Sequence, residues 1–203
     1  MKKLVIAMMA MMPLAAVAQS NAWEQNAQTN VSAKLNPKYL AGAVPEKDGR
    51  VTFETTIKVP GKTKAQLYEM ALRVMKGVVS GPEQVTEQSR IGLEDPVKGQ
   101  VVANVQEWLV FKSTALVLDR TRLLYHLIAD CRDGEVTVTM SRIVYIYDEE
   151  RDPQTYKAEE WITDKYGLTN KQNKLARVSG KFRQKTIDRK DYLFNLFNET
   201  LTK

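Results

Sequence analysis

The chain has one cysteine, Cys131, and one histidine, His126. A lone thiol excludes an intramolecular disulfide, so the core must hold the fold unaided. One histidine and one cysteine cannot supply the spaced ligand sets that bind zinc, and no serine lies in a nucleophile-elbow motif. Long apolar runs are lacking too. The longest, Leu4 to Val17, carries Pro13 and falls short of the roughly 20 residues a spanning helix needs. Internal repeats and low-complexity tracts are absent after this run.

What is present at the start of the chain is a secretion signal. Lys2 and Lys3 precede the apolar run, which ends at the small residues Ala16-Val17-Ala18. Residues 1–18 are therefore expected to be a signal peptide cleaved near Ala18, with Ala22 as the second choice. No cysteine follows the run to take a lipid anchor, so the mature chain is expected in the periplasm or outside the cell. Cleavage removes five of the eight methionines, so the chain is not rich in Met as a binding surface would be. It also leaves 28 basic against 24 acidic residues, a net charge of +4. Residues 171–190 hold eight Lys and Arg against Asp188 alone, a local +7, so the remainder is acidic.

Residues 19–43, rich in Asn, Gln, Ala, Ser and Thr without a period, read as a flexible leader. An ordered α+β domain is expected over 44–147. Its first strand alternates Val51, Phe53, Thr55, Ile57 and Val59 with polar residues. Thr63 and Gln66 form a capping box that opens a helix carrying Leu67, Met70, Ala71, Val74 and Val78 on one face. Gly81-Pro82 closes it. Four strands are expected near 86–94, 100–112, 121–131 and 135–147, the last two joined by the Asp133-Gly134 turn. Residues 148–203 are expected to form a helical extension packed on the domain. Its short helices lie near Trp161 and over 170–178, and a final helix is capped by Thr186 and carries Leu193, Leu196, Phe197 and Leu201.

Several of these residues carry a family resemblance: Val44-Pro45 with Asp48-Gly49-Arg50-Val51-Thr52-Phe53, Val59-Pro60-Gly61 with Lys64, Leu67 and Tyr68, and Arg132-Asp133-Gly134-Glu135 before alternating Val and Thr. The chain resembles an uncharacterised family of secreted bacterial proteins, a domain of unknown function with a fold like the TATA-binding protein. The resemblance covers roughly 44–147. It implies a curved, mainly antiparallel five-stranded sheet with helices on one side, and supplies no catalytic or binding residues. A shared fold does not transmit DNA binding, and export separates the protein from cytoplasmic nucleic acid.

Four features bear on chemistry. His126 could shuttle protons with Asp130, but four strand residues span about 13 Å, so the expected role is an inert strand histidine. The acidic cluster at 148–160 (Asp148, Glu149, Glu150, Asp152, Glu159, Glu160) could bind calcium or act as paired acids, yet lacks a calcium-loop pattern, and a solvated linker is the simpler reading. Lys181, Arg183, Lys185, Arg189 and Lys190 are the candidate contacts to an anionic glycan or lipid headgroup, the alternative being a solvated surface paired with the acidic region. Trp108, Tyr145 and Tyr147 are candidate ligand contacts on a sheet face that the C-terminal helices could equally cover. No cofactor or metal is expected. The sequence favours a non-enzymatic binding module of the cell envelope, with an enzyme using His126 or the acidic cluster as the alternative.

Overall fold

The computed structural model describes residues 21–24, 36–85 and 87–203. The expected signal peptide, 1–18, lies outside the described residues, as do 19–20 and 25–35 of the expected leader. Ten elements follow in order: β1 (Glu46–Lys47), β2 (Arg50–Lys58), α1 (Lys64–Val79), β3 (Arg90–Asp95), β4 (Gln100–Ser113), β5 (Leu118–Arg132), β6 (Glu135–Tyr147), β7 (Gln154–Lys157), α2 (Asp164–Gly167) and α3 (Ser179–Leu201).

The sheet has seven strands where the sequence suggested five; the two additions, β1 and β7, are too short to show an alternation. Its order is β1-β2-β6-β5-β4-β3 with every pairing antiparallel. β6 is long enough to take two partners along one edge. Its first half pairs with β2, and Val144 to Tyr147 pair with β7, which continues the lane of β2.

Alternation explains the core. The residues Val101, Ala103, Val105 and Leu109 of β4, Leu123, Tyr125, Leu127 and Ala129 of β5, and Val136, Val138 and Met140 of β6 are all buried on one face. α1 covers that face with Leu67, Ala71, Val74, Met75 and Val78. Its capping box forms as expected, with the Thr63 side chain and the Gln66 side chain each bonding the other's backbone, an arrangement worth about 1 kcal/mol. α3 lies on the same face and adds Phe182, Ile187, Leu193, Phe197 and Leu201 to one continuous core.

α3 begins at Ser179, seven residues before the expected cap at Thr186. Gly180 sits inside α3, where an added Cβ would come within 2.8 Å of Leu175. Its role is close approach. No helix forms over 170–178, which is turns with a single bridge between Leu168 and Leu175. Near Trp161 the expected short helix is replaced by β7, a 3-10 turn at Ala158–Glu160 and the one-turn α2.

The described parts of the 19–43 leader are docked on the domain. Asn21 is buried and holds Val110 from both sides: its amide donates to the Val110 carbonyl at 2.9 Å and its carbonyl accepts from the Val110 N–H at 2.9 Å. Glu83 and Val85 pair with the backbone of Trp108 and Gln106 just below. The outer edge of β4 is thus closed by β3, then by the 83–85 segment, then by Asn21, which suppresses edge-to-edge pairing. Tyr39 is buried, and its hydroxyl donates to Asp188 at 2.8 Å.

Candidate functional site on the open face of the sheet

Both long helices pack on one face, and among the described residues the other face of the sheet carries no helix. Its side chains form rows set by register. The middle row runs Arg90, Asn104, His126, Ser141, Thr52 across β3, β4, β5, β6 and β2. One step toward the β5–β6 turn lie Leu93, Val102, Ile128, Thr139 and Glu54, and beyond them Asp95, Gln100, Asp130, Thr137 and Thr56. On the opposite side the rows are Gln106, Leu124, Val144, Lys157, then Trp108, Arg122, Ile146, Thr155. From Val102 to Ile146 the apolar members are half-buried by their neighbours alone.

Trp108 lies on this face as expected. The Arg120 guanidinium stacks on its ring at 3.8 Å and Arg122 lies 5.9 Å from it. Tyr145 and Tyr147 do not share the face. A bulge between β5 and β6 sets Leu124 opposite Val144 but His126 opposite Ser141, and Arg142 takes up the extra residue at φ 54°. The alternation shifts by one, so Tyr145 turns into the core and bonds the Thr186 hydroxyl at 2.7 Å. Burial pushes its phenol well above the usual range. Tyr147, Tyr156, Trp161 and Phe111 join Tyr145 around Phe182 on the helix-covered side. The C-terminal helix covers the face opposite to the one bearing Trp108.

The five candidate cations of the basic segment are spent inside the molecule. Arg183 is fully buried, donating to the carbonyls of Tyr39, Leu40 and Ile162 at 2.6 to 2.7 Å and to Asp164 at 2.7 Å. Arg189 is buried against Glu107 at 2.6 and 2.8 Å and reaches Glu83 at 2.9 Å. Burial opposes the Arg189 charge, but Glu107 outweighs it and keeps the guanidinium protonated; burial and Glu107 together push the adjacent Tyr125 phenol up. Lys181 bonds Asp119 and Tyr147, Lys185 pairs with Glu24, and Lys190 pairs with Asp191. Two of the five candidate anion contacts are therefore sealed from solvent and the other three are engaged. Their partners come from distant segments rather than from the acidic region 148–160, apart from the neighbour Asp191.

The acidic cluster serves the open face. Glu149 takes Arg122 through both oxygens and Glu150 takes Arg120 at 3.3 Å, while Asp148 holds Arg151 at 2.9 Å. These carboxylates, Trp108 and Ile146 line a cleft of about 100 Å³. His126 is set between Asn104 and Ser141; burial and then the nearby Arg142 lower its pKa. Asp130 accepts from Gln100 at 2.7 Å and does not orient it. Cys131 is buried, and burial with Asp130 pushes its thiol up to about 12. The strand alternation that located Trp108 could not reveal the arginine stack, because Arg120 and Glu150 meet only through the folded loop.

An antiparallel sheet with helices on one face and an open face on the other defines a TBP-like α+β domain. Residues 53–146 match the model described as a domain of unknown function (DUF4468) with TBP-like fold. A solved DUF4468 family protein from Bacteroides ovatus ATCC 8483 is 38% identical, covering 82% of this chain and 94% of its own with a TM-score of 0.76. The chain belongs to the DUF4468 family. A TBP-like protein from Parabacteroides distasonis ATCC 8503, 20% identical, shares the fold with a TM-score of 0.59, covering 78% of this chain and 96% of its own. A comparison with the curated proteins finds no match. Among the described residues no helix is long and apolar enough to cross a membrane.

Proposed function

We propose that the protein is a non-enzymatic interaction module of the bacterial cell envelope, exported to the periplasm or exterior after cleavage near Ala18, and that it works through the open face of its sheet. The observation that carries this reading is the asymmetry of the sheet: α1 and α3 take one face, while the other displays Trp108 under Arg120 beside half-buried Leu124, Val144 and Ile146. An open apolar surface rimmed by charge is the usual form of a docking site. The five cations Lys181, Arg183, Lys185, Arg189 and Lys190 give an anionic glycan or headgroup little to bind, since they are buried or paired; Arg142 and Lys157 are exposed cations better placed for contact with a ligand on the open face.

Photo-crosslinking from the open face in the native envelope tests the reading. A crosslinker at Gln106 should capture a component that one at Arg73, on the outer side of α1, does not; Trp108→Ala should lower the yield. Equal capture from both positions overturns the proposal.

A further inference from the structure

Arg189 carries one buried donor that is left unmade. Nε and Nη2 lie on the side of the guanidinium that faces Glu107, donating to it at 2.8 and 2.6 Å, and Nη2 also reaches Glu83 at 2.9 Å. Nη1, at the opposite corner of the fork, is buried and has no hydrogen-bond partner among the described residues. Buried polar groups are almost always bonded, and a charged donor is the costliest to leave alone. Trp23 and Tyr192 stand over the guanidinium with ring centroids 5.6 and 5.2 Å from its carbon, and their faces offer an N–H only a weak acceptor.

Arg189, Glu83 and the two rings also line a cleft of about 220 Å³ between the end of α1 and α3. One water takes up about 30 Å³ of the liquid, so the cleft has room for a larger guest. Gly77 and Gly81 keep part of its wall free of side chains, and Val78, Pro82 and Leu196 make it apolar. Charge decides what kind of guest fits. One guanidinium faces two carboxylates, Glu107 and Glu83, so the site is net negative and disfavours an anion. The guest's acceptor is therefore neutral. Glu83 bonds Arg189 through Oε1, and its Oε2 is an acceptor next to that donor.

A neutral acceptor and donor side by side on an apolar body are the carbonyl and N–H of a peptide residue with an apolar side chain. A sugar of that size brings many hydroxyls, and the polar side chains of the cleft are only Arg189, Glu83 and Tyr192. We propose that this cleft is a second interaction site, separate from the open face of the sheet, that takes one apolar residue of a partner polypeptide. The residue's carbonyl accepts from Arg189 Nη1, its N–H donates to Glu83, and its side chain packs on Val78 and Leu196. Trp23 gates the donor. It is half-buried in the 3-10 turn Ala22–Glu24, pinned by Asn21 on one side and by the Glu24–Lys185 pair on the other, and its ring turns off the guanidinium as the guest's carbonyl arrives.

The probe is N-acetyl-leucinamide, a neutral blocked residue, and the readout is the indole N–H signal of Trp23 in isotope-labelled protein, assigned with Trp23→Phe. That signal should shift saturably with a Kd on the order of 1 mM, while those of Trp108 and Trp161 stay in place. Gly77→Phe fills the cleft. An added Cβ at 77 meets nothing within 4 Å and phenylalanine is the better helix former, so melting should not fall while binding weakens by about tenfold or more. Acetate and N-acetylglucosamine should leave Trp23 unmoved. A wild-type protein without a saturable shift, or binding that survives Gly77→Phe, overturns the proposal. Binding of the sugar or of acetate in place of the blocked residue overturns it as well. Capture from Gln106 is independent of these results, so the open-face reading stands or falls on its own experiment.

Discussion

Arg142 decides which way half of β6 faces. It occupies the left-handed region at φ 54° inside a strand, a conformation that costs a side-chain-bearing residue roughly 1–2 kcal/mol and that glycine adopts freely. A β-branched residue suffers most there. Arg142→Val is expected to lower stability by about 1–2 kcal/mol in urea unfolding. Arg142→Gly should stay within about 0.5 kcal/mol of the parent, relief of strain offsetting chain entropy. A Val variant as stable as the parent would show that the bulge relaxes. The alternation of Val136, Val138 and Met140 was legible in the sequence, and the burial of those residues follows it. Beyond Ser141 the same alternation misplaces Tyr145 and Tyr147, because an arginine in a β-rich run gives no sign of a bulge that glycine would have marked.

At the scale of elements, α3 shows how a buried face can hide in a charged sequence. Its inner side includes Arg183, Thr186 and Arg189 beside Phe182, Ile187 and Leu193. Counted as polar, those residues break the helical period, so the stripe is legible only from Leu193 onward. Arg189 spans from α3 to Glu107 on β4 and to Glu83 in the segment after α1, fastening helix and sheet edge together. Removing one partner of a buried pair leaves the other charge without compensation. Arg189→Met is expected to destabilise by about 3–5 kcal/mol, and adding Glu107→Gln should recover a substantial part of the loss. The check is a double-mutant cycle by denaturant unfolding. Additive losses in the cycle would mean that the two side chains act independently.

Over the whole molecule, the described residues N-terminal to β1, 21–24 and 36–45, act as a strap. Asn21 substitutes for a strand at the end of β4, Trp23 lies over Arg189 and Tyr192, and Lys38 and Tyr39 converge on Asp188. Asn21→Ala leaves both polar groups of the Val110 backbone without that partner and should cost about 1–3 kcal/mol. Hydrogen exchange should show the Val110 amide losing protection while amides inside β5 keep theirs, and unchanged protection at Val110 would remove the strap role.

The sequence by itself determined the five long strands to within a few residues, α1 with its capping box, and the absence of any internal disulfide. These rest on local alternation, local hydrogen bonding and a count of thiols. It is also the sole source of the export reading. Only the tertiary structure decided where the +7 of residues 171–190 goes, which face carries aromatics and which face stays open. The reason is distance along the chain. Arg189 meets Glu107 from 82 positions away, Lys38 meets Asp188 from 150, and Lys185 meets Glu24 from 161, pairings that no local period encodes and that exist only once α3 and the N-terminal strap close over the same face of the sheet.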